Sequence, residues 1–430
     1  MSAKRDRRTG MSRRGFLKTA GSMAGALITA PLLLKVSDAA AAPRSFARTG
    51  SSLKVGVLLP HSQLYPALAG SLLGGLQLYF DQRNSRKIEW LTTDYGVQPS
   101  SASDSIRKLI LGDQVNMLVG VVSSAAVSPI RDLLKERQIP LIVNNAGANF
   151  LRSFGESPYV FRNTLNYWRA AWASGAWAAK SLGVTAFVAA SFYESGYDTL
   201  YAFRRGFEAA GGAIRQTRIT HRPAAADDWP ALMTEIKRAN PKLVYAAYSG
   251  QSAVDFAQAY AKSGLAGRIP LVGTGFMADE PLLAAPGSAA LDMTSGLSWS
   301  SSLNTPENRA FMLAYQRRTG RTADAFAALG YDTARLIAEA LNLAGEQRDS
   351  ERLRQALGTV EFTGPRGHIK MDQLTRTVNS SLYLRQTRQG GRGLGGTLLT
   401  ALDSRPLLDE QNAAVRSSPK TGWRNAYLCI

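Results

Sequence analysis

Two short runs of small polar residues stand where a chain could hold a small molecule. Ser123-Ser124-Ala125-Ala126-Val127-Ser128-Pro129 follows the apolar run NMLVGVV, and Asn144-Asn145-Ala146-Gly147-Ala148-Asn149 follows IPLIV. Hydroxyls and free backbone N–H groups at the end of a strand suit a carboxylate or another acceptor-rich group. Amides beside alanine and glycine add donors, acceptors and close backbone approach. In the first run, Ser128 with Pro129 makes an N-cap and first helical residue, which leaves SSAAV as the loop. If Ser124 caps instead, Pro129 falls inside the first turns and bends them.

No residue set in the sequence points to catalysis. His61, His221 and His368 lie in separate segments, with neither HExxH spacing nor a Cys or carboxylate at metal-ligand spacing. There is no GxSxG elbow, no Walker loop and no GxGxxG opening a helix after a strand. GTGF (Gly273–Phe276) lacks the third glycine and reads as a turn. Asp279 and Glu280 are adjacent and read as the charge pair of a helix N-terminus, and Asp227 or Asp228 as a helix cap. The chemistry expected is noncovalent capture, with no cofactor and no metal.

The elements that must position the two runs follow from apolar periodicity. LKVGVLLP (Leu53–Pro60), KIEWLTTD, NMLVGVV and IPLIVNN read as strands, separated by helical spacing over Ala67–Arg83, Ser103–Leu111 and a segment ending near Arg137. After YVFRNT (Tyr159–Thr164) the pattern repeats: a helix Tyr167–Leu182, then strands VTAFVAAS, GGAIRQTRI, PKLVYAAY and IPLVGTG with helices between them. A strand Met293–Trp299, helices Glu307–Thr319, Asp324–Leu343 and Ser350–Leu357, and strands ending in SLYLRQT complete the pattern. Such alternation predicts two doubly wound α/β units, each with a parallel sheet, and ligands held at the carboxyl ends of the strands.

The front of the chain carries an address. SRRGFLK (Ser12–Lys18) matches a twin-arginine export motif, Thr19 to Leu34 is an apolar stretch, and SDAAAA (Ser37–Ala42) offers small residues for cleavage. The apolar stretch is about 16 residues, short of the ~20 that span a bilayer. Residues 1–42 are expected to be a signal removed near Ala39–Ala42, with Met1 or Met11 as the start, and the protein to reside in the periplasm. Its loss removes eight Lys/Arg against two Asp and lowers the formal charge from +19 to +13. That surplus is scattered, and its densest patch, Arg385–Arg392, has no interleaved aromatics, so no nucleic-acid partner is expected. The single cysteine, Cys429, cannot form an internal disulfide, so the remaining chain must rest on its core.

Seven stretches stand in an order that resembles a known family. They are LKVGVLLPHSQLYPALAGSLLGG, GVVSSAA, IPLIVNNAGAN, SPYVFRN, SFYESGYDTLYAFRRGFEAAGG, LGYDTARLIAEAL and FTGPRGHIKMDQLTRTVNSSLYLRQ. The chain resembles, over roughly residues 53–388, the periplasmic solute-binding proteins of branched-chain amino-acid-type ABC transporters, the Leu/Ile/Val-binding-protein-like type I class. The resemblance implies two Rossmann-like lobes joined by three crossovers. It also implies a ligand trapped by closure and delivery of that small-molecule solute by a monomer to permease subunits in the inner membrane. Residues 53–165 with 297–361 are assigned to the N-terminal lobe and 166–296 with 367–388 to the C-terminal lobe. Residues 389–430 are expected to form a surface extension.

Carried across on matching positions, Ser124 falls where the family's serine holds the ligand carboxylate, with Ser123 beside it. Ala146, Gly147 and Ala148 fall on the second carboxylate loop, where Asn145 offers an amide in place of the usual hydroxyl. Tyr65 takes the aromatic position of the first loop, Tyr193 or Ser195 that of a tyrosine before glycine, and Ser249 and Gly250 end PKLVYAAY. Gly275 stands where amino-acid binders carry an acidic partner for the ligand ammonium. Unless Asp279 or Glu280 reaches in, an ammonium there would be buried unpaired, which is costly. This departure from the family implies a ligand with a carboxylate or amide and no ammonium, with an aromatic or amide-like body, and an amino-acid-like solute is the alternative. Tyr167 and Trp168 either form an aromatic wall near the hinge or pack as helix core, since Trp168, Trp172 and Ala176 share a face. The alternative function is a ligand sensor on the same fold reporting to a membrane receptor. An exported enzyme is disfavoured by the missing catalytic set.

Overall fold

The computed structural model describes residues 53–60, 67–83, 88–96, 99–122, 126–144, 157–191, 194–221, 224–225, 227–345, 349–390 and 393–417. Residues 1–42, the expected signal, and Cys429 lie outside them.

Uninterrupted apolar runs bounded by turn residues form parallel strands, and the 3.6-residue pattern between them forms the covering helices. The first such series is β1 (Leu53–Leu59), α1 (Leu68–Asp81), β2 (Ile88–Asp94), α2 (Pro99–Arg107), β3 (Met117–Gly120), α3 (Arg131–Arg137), β4 (Leu141–Val143) and β5 (Val160–Arg162). The second is α4 (Tyr167–Ser181), β6 (Thr185–Ser191), α5 (Glu194–Ala209), β7 (Ala213–Thr220), α6 (Asp228–Ala239), β8 (Leu243–Ala247), α7 (Gln251–Lys262), β9 (Leu271–Gly273), α8 (Glu280–Leu283) and β10 (Thr294–Leu297). The chain continues with α9 (Pro306–Thr319), α10 (Ala325–Ala344), α11 (Ser350–Leu357), β11 (Glu361–Gly364), β12 (Gly367–Asp372), β13 (Thr377–Ser380), β14 (Leu382–Gly390), β15 (Gly393–Leu402) and α12 (Arg405–Ser417).

Two sheets result, ordered β11-β12-β13-β5-β4-β3-β1-β2 and β15-β14-β10-β9-β8-β6-β7. Within each, five parallel strands share one topology, with order 2-1-3-4-5 in the first and the equivalent 7-6-8-9-10 in the second. The order reverses between β1 and β3, and between β6 and β8, and an open sheet forms its crevice at such a point. The chain passes between the sheets three times: from β5 to α4, from β10 towards α9, and from β13 to β14.

The two lobes also share a helix-packing device. In the first, a β-carbon on Gly75 would lie 2.1 Å from the Ala327 carbonyl oxygen, and one on Gly330 2.1 Å from that of Leu72. In the second, Gly175 faces the Phe203 carbonyl at 2.2 Å and Gly206 that of Trp172 at 2.0 Å. Each glycine admits the backbone of the opposite helix, so α1 crosses α10, and α4 crosses α5, at distances no larger residue allows.

Two assignments differ from expectation. Residues 367–380 were assigned to the C-terminal lobe, but β12 and β13 extend the first sheet. Their inward side chains Ile369, Met371 and Val378 pack into the core that also holds Leu72, Leu76 and Leu329. Residues 389–417 are not a mere surface wrap. β15 pairs antiparallel with β14 from Leu382↔Leu402 to Gly390↔Gly393. Its outer edge is held by serines: Ser300 and Ser302 hydroxyls donate to the Gly396 carbonyl at 2.8 and 3.1 Å, and Leu398 N–H donates to Ser302 Oγ at 3.0 Å. Leu407 of α12 is buried with Ala170 and Ala173 of α4. GLGGTLLTAL carries no charge, so it can add to a sheet edge although its glycines suggest a loop. Among the described residues no helix is long and apolar enough to cross a membrane.

The crossings give an expected outcome. Gly330→Ala and Gly206→Ala should each lower stability by about 1–3 kcal/mol through overpacking against backbone. Gly395→Ala, which meets nothing within 4 Å, should change it by less than ~0.5 kcal/mol. Urea unfolding of the three variants decides between these outcomes.

Candidate functional site

The first lobe's two candidate loops follow β3 and β4 in the sequence. Ser123, Ser124, Asn145, Ala146, Gly147 and Ala148 lie outside the described residues, as do Tyr65 and Tyr193. Ser195 falls within α5. What the structure does describe is the footing of the loops. Val121 adopts φ +59°, a left-handed conformation that a β-branched residue rarely takes, with its N–H donating to Leu58 O at 2.9 Å. Strained backbone of this kind persists where surrounding contacts over-determine it. Val122 N–H donates to the Tyr95 hydroxyl at 2.9 Å. Downstream, Pro129 sits inside a short 3₁₀ turn (Ser128–Ile130) whose N-cap is Val127, so neither expected serine cap leads this turn.

Asn144 belongs to the footing rather than to a ligand surface. Wholly buried, it accepts from Gly120 N–H at 3.1 Å and donates to Thr333 Oγ1 at 2.8 Å and to Asn163 O at 3.2 Å. Asn163 Nδ2 donates to the same Thr333 hydroxyl at 2.9 Å. Arg366 then joins this network to the crossovers. Its guanidinium, with no exposed surface, donates to Asp332 Oδ2 at 2.7 Å, to Asn163 Oδ1 at 2.5 Å, to Thr164 O at 3.1 Å and to Ser298 Oγ at 3.4 Å. A second buried arginine, Arg169 of α4, donates to Asn166, to Asn379 and, at 2.9 Å, to Val378 O. Neither arginine stands out in the sequence, although Arg366 lies within one of the seven stretches and Arg169 directly follows Tyr167 and Trp168.

In the second lobe the structure brings Tyr167 and Gly275 together. Tyr167 stacks on Phe276 with ring centroids 4.1 Å apart and planes 14° from parallel. A β-carbon on Gly275 would stand 2.4 Å from Leu297 Cδ1 and 3.0 Å from Tyr167 Cε1. The two residues line a void of about 10 Å³ with Ser174, Thr274 and Tyr245, room for one water. Ser249 and Gly250 follow β8, next to Thr274, whose hydroxyl donates to Tyr248 O at 3.4 Å and whose N–H donates to Ala246 O at 3.1 Å. Trp168 is 3% exposed in the core of this lobe, with no partner for its Nε1–H among the described residues.

Glu280 is engaged elsewhere, and Asp279 is buried beside it. Glu280 accepts from Arg385 Nη1 at 2.9 Å, and Arg385, fully buried, also donates to Ala278 O at 2.6 Å. Burial raises the Asp279 carboxyl well above the usual range, with the negative charges of Asp324 and Glu280 adding to it. Asp324 caps α10: it accepts from Ala327 N–H at 2.8 Å and from Ser71 Oγ at 2.5 Å. Burial outweighs those bonds and pushes its pKa up to about 6. The expected cap at Asp227 or Asp228 is not made. Asp228 instead turns back to accept from Ala225 N–H at 2.8 Å and faces His221 Nδ1 at 3.1 Å. Burial opposes its ionisation, but these partners hold its pKa below the usual range. Among the described residues no group of three or more His, Cys, Asp or Glu could hold a metal ion.

Residues 52–392 match the family model described as periplasmic binding protein. The Leu/Ile/Val-binding protein homolog 6 of Brucella melitensis is 26% identical over 351 residues, covering 79% of this chain and 89% of that protein. A solute-binding protein of an ABC transporter from R. palustris, solved with benzoate, is 28% identical with a TM-score of 0.74, covering 82% and 96% of the two chains. Another, from Rhodopseudomonas palustris BisB5 with 3,4-dihydroxybenzoic acid, is 26% identical with a TM-score of 0.75, covering 82% and 97%.

Asp324 carries a pH prediction. Its folded pKa, about 6, lies above the ordinary aspartate value near 4, so the native state takes up the proton first. This group's contribution to stability therefore rises as pH falls from about 6 to about 4, by on the order of 2 kcal/mol. Asp324→Asn should lose that rise, read as the difference between wild-type and variant urea midpoints at pH 7 and pH 4.5.

Proposed function

This chain belongs to the periplasmic binding protein family, and we propose that it is the solute-capturing component of an ABC importer whose ligand is a small aromatic carboxylate. Family and fold are those of binding proteins rather than enzymes. The observation that carries the ligand class is the packing at Gly275. Leu297 and Tyr167 fill the space where a side chain would begin, so no carboxylate can stand there to meet an ammonium. Of the two nearby alternatives, Glu280 is tied to Arg385, and burial beside like charges pushes the Asp279 carboxyl towards its neutral form. A ligand without an ammonium fits this surface, and the benzoate and 3,4-dihydroxybenzoate bound by the two R. palustris proteins are such ligands.

In this reading the Ser123–Ser124 loop and the Asn145–Ala148 loop hold the carboxylate with hydroxyl, amide and backbone N–H donors. Tyr65, Tyr193 or Ser195, and Ser249 and Gly250, border the remainder of the ligand. The stacked Tyr167–Phe276 pair supports its ring, a contact aromatic groups make favourably. Trp168 belongs to the core of the second lobe. Closure of the lobes buries the solute, and the closed form docks on permease subunits in the inner membrane. The lobe boundaries lie at the crossovers, and export follows the twin-arginine route, with the signal cleaved near Ala39–Ala42.

A thermal-shift series tests the ligand class. Benzoate and 3,4-dihydroxybenzoate should raise the melting temperature, and leucine and valine should not. A hundredfold excess over Kd stabilises by about 2.7 kcal/mol. Ser124→Ala and Asn145→Ala should each shrink the benzoate shift while leaving the unliganded melting temperature in place. Tight leucine binding with no response to aromatic acids would sink the proposal.

A further inference from the structure

We propose that Arg366, with Thr333 and Asn163, forms the positioning centre through which the carboxyl ends of β3 and β4 and the interlobe crossovers move as one. The inference rests on the solute-binding reading above and deepens it. Its starting point is continuity. Gly120 ends β3 at the foot of the serine loop, and Asn144 follows β4 at the foot of the other; two hydrogen bonds tie them, Gly120 N–H donating to Asn144 Oδ1 at 3.1 Å and Asn144 N–H to Gly120 O at 2.7 Å. From Asn144 the chain of bonds runs through the Thr333 hydroxyl to Asn163, and from Asn163 Oδ1 to the Arg366 guanidinium. Arg366 reaches the first crossover at Thr164 O and the second at Ser298 Oγ. The hydroxyl of Tyr383, just past the third crossover, donates to Arg366 O at 3.2 Å. One residue thus touches all three places where the chain changes lobe.

Burial makes the network behave as a unit. Asn144, Asn163, Ser298, Asp332, Thr333 and Arg366 all have 0% exposed surface. No water reaches them to replace a broken bond, and an unmet buried donor or acceptor costs about 1–3 kcal/mol. A displacement of either loop foot must therefore be followed by its partners or reversed. A lobe rotation changes backbone angles in the crossovers, and the bonds at 3.1 and 3.4 Å from Arg366 Nη1 are the ones that such a rotation exchanges. The Asp332 pair at 2.7 Å keeps the guanidinium in place while they change. A purely structural role would stabilise the lobe without biasing its opening. Coupling has to be measured rather than read from adjacency.

The test uses the full chain with Cys429→Ser, labelled at Asp132→Cys and Lys237→Cys, one exposed position in each lobe. Thr333→Val keeps the side-chain shape and removes the shared acceptor. Arg366→Lys keeps the charge beside Asp332 and removes the fork. Both should broaden the unliganded interlobe distance distribution measured by pulsed electron spin resonance. Both should also raise the benzoate Kd about tenfold, with the change carried by koff. Ser124→Ala should weaken binding without altering the unliganded distribution. If Arg366→Lys fails to fold, Thr333→Val decides alone. The proposal is overturned if Thr333→Val lowers only the melting temperature and leaves distances and koff as in the wild type. If the wild type does not bind benzoate, the ligand reading fails, and the unliganded distances still decide whether the network sets lobe position.

Discussion

A guanidinium taken out of water has to find acceptors for its donors, and in this protein two of them do so where the chain passes between its lobes. The cost of burying each ion is several kcal/mol, offset only when geometry and hydrogen bonding are good. Arg366 meets that requirement with a carboxylate, an amide oxygen, a backbone carbonyl and a hydroxyl drawn from three separate segments. Arg169 meets it with acceptors at Asn166, Val378 and Asn379. The crossovers cannot take arbitrary paths, because their carbonyls and side chains are the acceptors. The relation between the lobes is therefore specified by polar groups of fixed direction, whereas each lobe's own cohesion is apolar and tolerant of direction.

Within each lobe the same solution is reached twice. The five-strand order and the reciprocal glycine crossing recur, Gly75 with Gly330 and Gly175 with Gly206. The helix partner is supplied differently, however. In the second lobe α5 follows α4 with one strand between them. In the first, α10 arrives from the far side of the second lobe, 255 positions after Gly75 at the matching glycine. The first lobe's core cannot be completed until the chain has crossed twice, so its long-range contacts depend on the crossovers being in place.

This division explains how much was legible in the sequence. Strands such as LKVGVLL and LVYAA, and helices such as Leu68–Asp81, announce themselves by apolar periodicity, and their order sets the topology. The handedness of the twofold repeat follows from it. Asn144, Asn163 and Arg366 do not announce themselves. Their partners lie between 19 and 203 positions away, and a polar residue at a strand end looks the same whether it meets a ligand or a distant side chain. Asn144 was grouped with the loop for that reason. Ile369, Met371 and Val378 were legible as strand positions, but their lobe was not, because period-2 alternation says that a face is buried without saying against which core. β15 escaped because glycine lowers strand propensity, and only pairing to β14 and the serine bonds on its far edge overcome that.

The arrangement of charge completes the picture of a binding surface. Full charges around the crossovers are already committed: Glu280 to Arg385 and Asp332 to Arg366, while Asp324 holds a helix end. On the proposed function, what remains for the solute is a set of neutral donors at strand ends. A carboxylate held by several oriented dipoles is stabilised without a second ion having to be desolvated, and those dipoles gain strength when closure removes water. On that reading the surface disfavours an ammonium, because position 275 supplies no countercharge to it. Selectivity of this kind does not require a repulsive group. It follows from Leu297 and Tyr167 occupying the volume in which the β-carbon of an acidic residue would have to sit.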